Sequence, residues 1–139
     1  MEFFEFLLDE RGIAVAVEGD LRCRASMESA LFRRALSNLV QNAISHSGHG
    51  AHLVVRIRPE DTLVWVTVTN RGATIAEVHL RRLFDRFYRA DQARHDSEGE
   101  HGFGLGLAIV QAIARMHGGG VTARSEAGLT TIGFSLQRA

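Results

Sequence analysis

The sequence predicts an α+β two-layer sandwich, in which a mixed five-stranded sheet is covered on one face by three helices. Two pairs of strand-like stretches predict the sheet, the first at 51–58 and 63–69 and the second at 121–125 and 131–136. Apolar residues recur at helical spacing from Phe32 to Ala43 and again near the end of the chain. Because helices and strands are mixed along the sequence, each helix is expected to bury its apolar stripe against the sheet.

Composition is typical of one ordinary globular domain, spanning 1–139. The apolar fraction of 45% is enough for a real core. Basic residues number 16 and acidic residues number 16, so no nucleic-acid partner is expected. The single cysteine, Cys23, excludes an internal disulfide. The apolar run at 102–110 is far shorter than the roughly 20 residues of a membrane span.

Local signals predict the elements at the start of the chain. Helical character runs through 2–10, and short strands at 13–17 and 21–25 flank a turn at 18–20. The first 12 residues contain acidic side chains and no basic segment, so they are not expected to be a signal peptide. Their abrupt start suggests a fragment of a longer protein.

Three further features are predicted between the strand pairs. Residues 59–61 supply the turn of the first pair. Thr74 followed by Glu77 predicts a capping box that opens a short helix ending at Leu83. The polar stretch 89–101 predicts a loop that is long enough to serve as a functional lid.

Two long helices are each expected to bury one apolar stripe. The first ends near Gly48 and Gly50, and the second ends at the three glycines of 118–120. The stripe of the first helix consists of Phe32, Ala35, Leu36, Leu39, Val40 and Ala43. The stripe of the second helix consists of Leu105, Ile109, Ala112, Ile113 and Met116.

Alternating glycines, Gly102, Gly104 and Gly106, lead directly into the second long helix. Glycine lets backbone approach a ligand closely, and a helix start offers free N–H groups at the positive end of its dipole. The pattern therefore predicts a phosphate-binding turn. A glycine-rich turn that merely caps a buried helix is the structural alternative. The GxGxxG spacing of dinucleotide-binding folds is not present.

Four segments occur in a fixed order, namely NLVQNAISHS, NRGATI, LFDRFYRAD and GFGLGLAIV. In this order they resemble the ATP-binding catalytic domain of bacterial sensor histidine kinases, within the wider group of gyrase, Hsp90, kinase and MutL ATPases. The resemblance covers roughly 21–136. It implies a Bergerat-type ATP-binding fold and the cofactors ATP or ADP with Mg²⁺. It also implies that 1–12 is the tail of a linker helix from a dimerisation domain that this chain lacks.

The first of these segments carries the implied metal ligand. In the family, the Asn of an Asn-Ala pair binds Mg²⁺, and Asn42 occupies that place, one helical turn after Asn38. An amide oxygen suits Mg²⁺ that is held mainly by phosphates, although both amides could instead bond local backbone. Ser45 and His46 stand where the family often has a basic residue and Tyr. Ser45 brings no positive charge, and His46 is either a ligand donor or a structural histidine.

The second segment resembles the family's adenine box, which is usually Asp-x-Gly-x-Gly. Asn70 replaces the Asp that accepts a hydrogen bond from the adenine amino group, and an amide oxygen can still accept that bond without charge assistance. Gly72 matches the pattern, whereas Thr74 replaces the second glycine. Copper- and heavy-metal-responsive sensor kinases resemble this chain in having Asn here. A plain strand-to-turn transition is the alternative.

The other two motifs imply contacts with the phosphates and the lid. Arg89, in preference to Arg86, would meet the γ-phosphate when the lid closes. Backbone N–H groups of the glycine segment would contact the α- and β-phosphates. The hairpin at 128–131 either lines the adenine side or is a simple turn. The expected nucleotide-contacting residues are Asn38, Asn42, Ser45, His46, Asn70, Gly72, Thr74, Ile75, Tyr88, Arg89, Gly102, Phe103, Gly104, Leu105, Gly106, Leu107, Thr130 and Thr131, with Asn42 as the metal ligand.

The resemblance implies a protein histidine kinase catalytic domain that donates the γ-phosphoryl group of Mg·ATP to a histidine on the absent dimerisation domain of a homodimer. A response regulator would be the final acceptor. Alone, the chain is expected to show no autophosphorylation. The implied location is the cytoplasmic domain of a bacterial inner-membrane sensor, which reaches the membrane only through absent parts of its parent.

Two alternatives to the kinase are considered. The first is a hydrolytic ATPase of the same fold, which is disfavoured because Asn38 stands where gyrase-type members have a Glu that activates water, so efficient ATP hydrolysis is not expected. The changes at Asn70, Thr74 and Ser45 leave open a degenerate nucleotide-binding or docking module with weak or no ATP binding.

Overall fold

The computed structural model describes residues 14–19, 29–45, 47, 52–72, 74–85 and 106–138. The predicted helix at 2–10 and the predicted strand at 21–25 lie outside these residues. The observed elements, in chain order, are β1 (Ala14–Gly19), α1 (Ser29–Ser45), β2 (His52–Glu60), β3 (Leu63–Arg71), α2 (Glu77–Leu80), α3 (Gly106–Met116), β4 (Val121–Glu126) and β5 (Leu129–Gln137).

The described strands form one sheet in the order β1-β2-β3-β5-β4. β1 runs parallel to β2, whereas β2 with β3, β3 with β5 and β4 with β5 are antiparallel. α1 and α3 contact each other and share one buried core with the sheet. The predicted mixed sheet with helices on one face is therefore confirmed.

Two tight hairpins replace the looser turns that the sequence predicts. Pro59 lies within β2 opposite Val64, and the turn consists of Asp61 and Thr62. Pro59 lies beyond Ile57, the last residue of β2 that pairs with β1 in the described part of the chain, so its missing N–H breaks no described bond to β1. The prediction of a turn at 59–61 is thus wrong in its position.

The β4–β5 hairpin turns at Ala127 and Gly128, with φ of 53° and 80°. Positive φ at both central residues defines the type I′ turn, whose twist matches that of the flanking strands. This two-residue turn sets Glu126 opposite Leu129 and therefore fixes the register of all pairs behind it.

The core lies between the sheet and the two longer helices. Phe134 is fully buried on β5 and meets Phe32 of α1 edge to face, with ring centroids 6.1 Å apart. Aromatic pairs favour this arrangement. The helix-facing apolar residues of the three central strands are Leu53, Val55, Val64, Val66, Val68, Ile132, Phe134 and Leu136.

The apolar stripe of α1 agrees with the prediction. Ala35, Leu39, Val40 and Ala43 are buried, and Phe32 and Leu36 pack against the core as partly buried side chains. None of the described helices is long and apolar enough to span a membrane.

The stripe predicted for α3 is wrong in part. Ala112 is exposed and Met116 is 68% exposed, whereas Ile113 is buried as expected. The helix begins at Gly106, and its buried residues are Leu107, Val110, Ile113 and Ala114. Residues 107, 110 and 114 follow the helical spacing i, i+3 and i+7. The buried face of α3 is therefore rotated about the helix axis relative to the predicted stripe, which begins at Leu105.

Glycines end α3, as predicted. Gly118 has φ of 75°, the Gly119 N–H donates to the Ala114 carbonyl over 2.9 Å, and the Gly118 N–H donates to the Arg115 carbonyl over 3.3 Å. These two bonds form a Schellman motif. The chain then passes so close to β5 that a Cβ at Gly119 would stand 1.8 Å from the Ser135 carbonyl oxygen.

The predicted capping box before α2 is wrong. The N-cap is Ala76, which makes no side-chain capping bond, and α2 has only four residues instead of continuing to Leu83. Thr74 is engaged elsewhere, because its hydroxyl accepts a hydrogen bond from the Gly128 N–H over 3.0 Å. A tertiary partner has thus replaced the local one.

Candidate nucleotide-binding site

A row of polar side chains crosses the helix-facing side of the sheet at one end. Asn70 of β3 and Thr130 of β5 are register partners, and Thr130 is also paired with Ser125 of β4. Asn70 is 4% exposed and Thr130 is 2% exposed. Directly opposed residues share a face of the sheet, so this polar row continues the apolar core toward the sheet end.

The Ser125 hydroxyl connects three segments of the chain. It accepts a hydrogen bond from the Ile75 N–H over 2.8 Å, and it lies 2.8 Å from the Thr130 hydroxyl, where either oxygen can donate. The Ile75 side chain packs against the hydrophobic core. The segment after β3 is therefore bound to the β4–β5 hairpin at the edge of the polar row.

Two more bonds attach the same segment to the hairpin turn. The Gly72 N–H donates to the Gly128 carbonyl over 2.9 Å, and the Gly128 N–H donates to the Thr74 hydroxyl over 3.0 Å. The turn residue Gly128 thus acts as both acceptor and donor. The sequence-predicted residues Asn70, Gly72, Thr74, Ile75 and Thr130 are brought together in one cluster.

The Asn70 side chain is almost fully buried, and its amide makes none of the hydrogen bonds described for this cluster. An amide has two donor hydrogens and one acceptor oxygen with which it can meet a ligand. A ligand that offers both a donor and an acceptor, such as the amino-substituted edge of a purine, would satisfy this side chain.

A second polar site lies on α1. Asn38 and Asn42 are both half-buried, and Asn38 Nδ2 is a buried donor that lacks a hydrogen-bond partner in the described part of the chain. An orphaned buried donor is uncommon in native proteins and is often explained by an absent ligand or ion. The Asn38 amide can donate to a phosphate oxygen, and the neighbouring Asn42 amide can offer an oxygen to Mg²⁺, so this pair fits a metal–phosphate ligand.

Ser45 occupies the next turn of α1 and is exposed. Its hydroxyl donates to the Asn42 carbonyl within the same helix, over 3.0 Å. This local bond gives Ser45 a structural role in α1 and no charge for a phosphate.

The N-terminus of α3 begins at Gly106, the last glycine of the alternating motif. The first turn of α3 carries no acidic residue, and a Cβ at Gly106 would meet nothing within 4 Å. The Leu107 side chain is buried in the core, which fixes the start of the helix. A helix start with free N–H groups and no acidic side chain suits an anion.

Thr131 does not join the polar row, contrary to the expectation that it lines the adenine side. Its hydroxyl lies 2.8 Å from the Thr69 hydroxyl, its register partner, on the opposite face of the sheet. The cause is the period of two in a strand, which sends neighbouring side chains to opposite faces.

Several predicted contacts lie outside the described residues, namely His46, Tyr88, Arg89, Gly102, Phe103, Gly104 and Leu105. In the described ranges, no group of three or more His, Cys, Asp or Glu side chains could hold a metal ion.

Sequence reasoning missed Ser125 as a member of the cluster. The signal was present in the hairpin, because a two-residue turn at Ala127 and Gly128 places Ser125 opposite Thr130. Without the length of the turn, the partner of Thr130 could not be predicted.

The family model of the histidine kinase-, DNA gyrase B- and HSP90-like ATPases matches residues 27–139. The match covers more than half of the chain. The chain therefore belongs to this ATPase family.

Similar proteins agree with this assignment. The sensor histidine kinase CusS of Escherichia coli is 46% identical over 126 residues, which are 91% of this chain and 26% of that protein. The sensor protein IrlS of Burkholderia pseudomallei is 37% identical over 117 residues, 84% of this chain and 24% of that protein. The catalytic domain of histidine kinase ThkA has a TM-score of 0.83 and 26% identity, and the match covers 99% of this chain and 86% of that one. The chain thus spans about a quarter of the length of these two sensor proteins.

Proposed function

We propose that this chain is the catalytic domain of a sensor histidine kinase, which binds Mg·ATP and donates the γ-phosphoryl group to a histidine on the dimerisation domain of its parent protein. The parent acts as a homodimer, and a response regulator is the final acceptor. The observation that carries the proposal is the position of the buried Asn70 side chain, which lies beside Thr130 at the sheet end of an ATPase-family fold.

In this proposal the polar row receives the adenine base. The Asn70 oxygen accepts a hydrogen bond from the base amino group, and Thr130 lies beside it as its register partner. The core packing of Ile75 supports one wall of the pocket. Lack of a charge on Asn70 makes this bond weaker than one to a carboxylate, so modest affinity is expected.

The two amides of α1 and the start of α3 receive the phosphates. The Asn38 donor bonds a phosphate oxygen, which gives the buried Nδ2 a partner. The Asn42 oxygen would hold Mg²⁺, and the ion would supply neutralisation of phosphate charge. The N-terminus of α3 adds backbone donors and its dipole.

Positioning and charge neutralisation are the main contributions that a protein makes to phosphoryl transfer. Asn38 carries no carboxylate and cannot act as a general base, so we propose little hydrolysis of ATP by water. The nucleophile is a histidine of the parent protein, and the chain alone does not phosphorylate itself. Because the sequence resembles copper- and heavy-metal-responsive sensor kinases at Asn70, we propose a metal-responsive parent at the inner membrane, with this domain in the cytoplasm.

A docking module with little nucleotide affinity is the second candidate. The observation that favours it is that the Ser45 and Thr74 hydroxyls both make hydrogen bonds within the protein. Neither side chain supplies a charge for a phosphate. In that case the domain would act through its surface and not through its pocket.

Calorimetric titration of the full chain with ADP and with a non-hydrolysable ATP analogue, with and without Mg²⁺, separates the two candidates. Micromolar to sub-millimolar affinity that Mg²⁺ strengthens supports the kinase proposal. Absence of binding at millimolar nucleotide contradicts it and favours the docking module.

The Asn42→Ala variant tests the metal ligand. We expect the strengthening by Mg²⁺ to disappear, because the amide oxygen is removed while the fold of α1 is kept. Gln41→Ala, at the exposed neighbouring position of α1, is the matched control and is expected to keep the Mg²⁺ effect. Equal Mg²⁺ dependence in Asn42→Ala and the wild type would remove Asn42 from this role.

A further inference from the structure

We infer that Ser125 is a positioning residue for base selectivity, which acts through its hydroxyl on Ile75 and Thr130. This inference rests on the proposed nucleotide function. It concerns a residue that touches the walls of the candidate base pocket and not the ligand.

The geometry places the Ser125 hydroxyl at a junction. Its oxygen is 2.8 Å from the Ile75 nitrogen and 2.8 Å from the Thr130 oxygen, so one atom holds both sides of the polar row. Ile75 follows the end of β3, and Thr130 is the register partner of Asn70. A shift of Ser125 therefore moves the surroundings of the Asn70 amide from two directions.

The effect is expected to be local and not a general loss of structure. The segment from Gly72 to Ile75 keeps two independent attachments to the hairpin turn, through the Gly72–Gly128 bond and the Gly128–Thr74 bond. Removal of the Ser125 hydroxyl leaves these bonds in place. What is lost is the partner of the Ile75 N–H and the orientation of the Thr130 hydroxyl.

The consequence for selectivity follows from hydrogen-bond chemistry. An adenine amino group donates to the Asn70 oxygen, whereas guanine presents a carbonyl at the same position of the ring, which the Asn70 amide can bind only by turning its nitrogen toward the base. Discrimination between the two bases depends on how firmly the amide and its surroundings are held. When the Ser125 hydroxyl is removed, Thr130 and Ile75 are held less firmly, and the preference for adenine over guanine is expected to fall. The proposed phosphate contacts on α1 and α3 do not involve Ser125 and are expected to stay unchanged.

The test compares Ser125→Ala with Ser125→Thr in the full chain, by titration with ADP, GDP and inorganic pyrophosphate. We expect Ser125→Ala to lower ADP affinity about five- to tenfold, the loss typical of one hydrogen bond, and to lower the ratio of ADP to GDP affinity. Pyrophosphate affinity is expected to stay within about twofold of the wild type, because pyrophosphate has no base. Ser125→Thr, which keeps the hydroxyl, is expected to restore the wild-type ratio.

Ser135→Ala is the matched control. The Ser135 hydroxyl also accepts a backbone N–H over 2.8 Å, from Gly120, but it lies at the far end of the sheet from Asn70. It is fully buried, so its loss should disturb the fold at least as much as the loss of Ser125. The ratio of ADP to GDP affinity is expected to stay at the wild-type value in Ser135→Ala.

The outcomes separate this inference from the proposed function. If the wild type binds ADP but Ser125→Ala keeps the wild-type ratio, the positioning role is wrong and the function stands. A parallel fall of pyrophosphate affinity, or an equal change of the ratio in Ser135→Ala, shows a general structural effect and also overturns it. If the wild type does not bind ADP, the proposed function is refuted and the inference is refuted with it. Should Ser125→Ala fail to fold by circular dichroism, Thr130→Val takes its place, and an unchanged ratio there contradicts the inference.

Discussion

Two rows of side chains cross the same face of the sheet and have opposite chemistry. The first row is Asn70, Thr130 and Ser125, and the second is Val66, Phe134 and Val121, four residues further along the strands. Asn70, Thr130, Val66 and Phe134 are all nearly or fully buried. Burial alone therefore does not distinguish the two rows.

The difference lies in what each row contributes to the free energy of folding. An apolar side chain gains free energy when it leaves water, whereas an amide without a partner loses it. Val66 and Phe134 stabilise the domain, and Phe134 packs against Phe32 of α1. Asn70 adds no comparable apolar burial, and its amide is proposed to meet a ligand. The following changes test this contrast, from the largest expected effect to the smallest.

Phe134→Ala tests the apolar row. The Phe134 ring is fully buried, so its removal leaves a cavity in the core. We expect a loss of about 3–5 kcal/mol in the free energy of unfolding, measured by urea denaturation. A loss below about 1 kcal/mol would show that the core can collapse around the site, and it would contradict the assignment of stability to this row.

Asn70→Leu tests the polar row and is expected to separate binding from stability. Because leucine places apolar surface at a buried position and no described hydrogen bond is lost, we expect the free energy of unfolding to stay equal or rise, by up to about 1 kcal/mol. ADP affinity is expected to fall about tenfold or more, since the base loses its acceptor. Asn70→Asp is the counterpart, and its charged oxygen should strengthen ADP binding.

A loss of stability in Asn70→Leu comparable to that of Phe134→Ala would contradict this account, because it would make Asn70 a structural residue. Calorimetry of ADP binding and urea denaturation on the same samples provide both quantities.

Gly118→Ala provides a change outside both rows. Gly118 has φ of 75° and ends α3, so a side chain there is strained. We expect a loss of about 1 kcal/mol in the free energy of unfolding and unchanged ADP affinity. Gly120→Ala is the control, because a Cβ at that position meets nothing within 4 Å. Equal stability losses in the two variants would show that the left-handed backbone of Gly118 is not the cause.

Much of the architecture follows from sequence periodicity. The stripe of α1 and the strand pair of β2 and β3 could be predicted because the buried residues recur at the period of a helix or of a strand. β5 is different, since Ile132 to Leu136 are buried on both faces. α3 shows the limit of this reasoning. It is apolar over most of its surface, so the sequence does not fix its rotation, and the predicted burial of Met116 is wrong.

The candidate site could be predicted in its residue types but not in its connections. Asn70 and Thr130 belong to motifs, whereas their alignment across β3 and β5 depends on hairpin register. Thr74 shows a similar limit, because its local capping pattern competes with a partner 54 residues away in sequence. Ser125 carries no motif at all, and only the pairing of β4 with β5 places it in the site.

The most direct test of the central claim is an amide chemical-shift titration of the isotope-labelled chain with ADP and Mg²⁺. The account predicts large shifts for Asn70, Ile75 and Thr130 and small shifts for Val66 and Phe134, although the two groups share the same strands and face. Shifts that concentrate at Val66 and Phe134, or no shifts at saturating nucleotide, would contradict the assignment of the polar row to nucleotide binding.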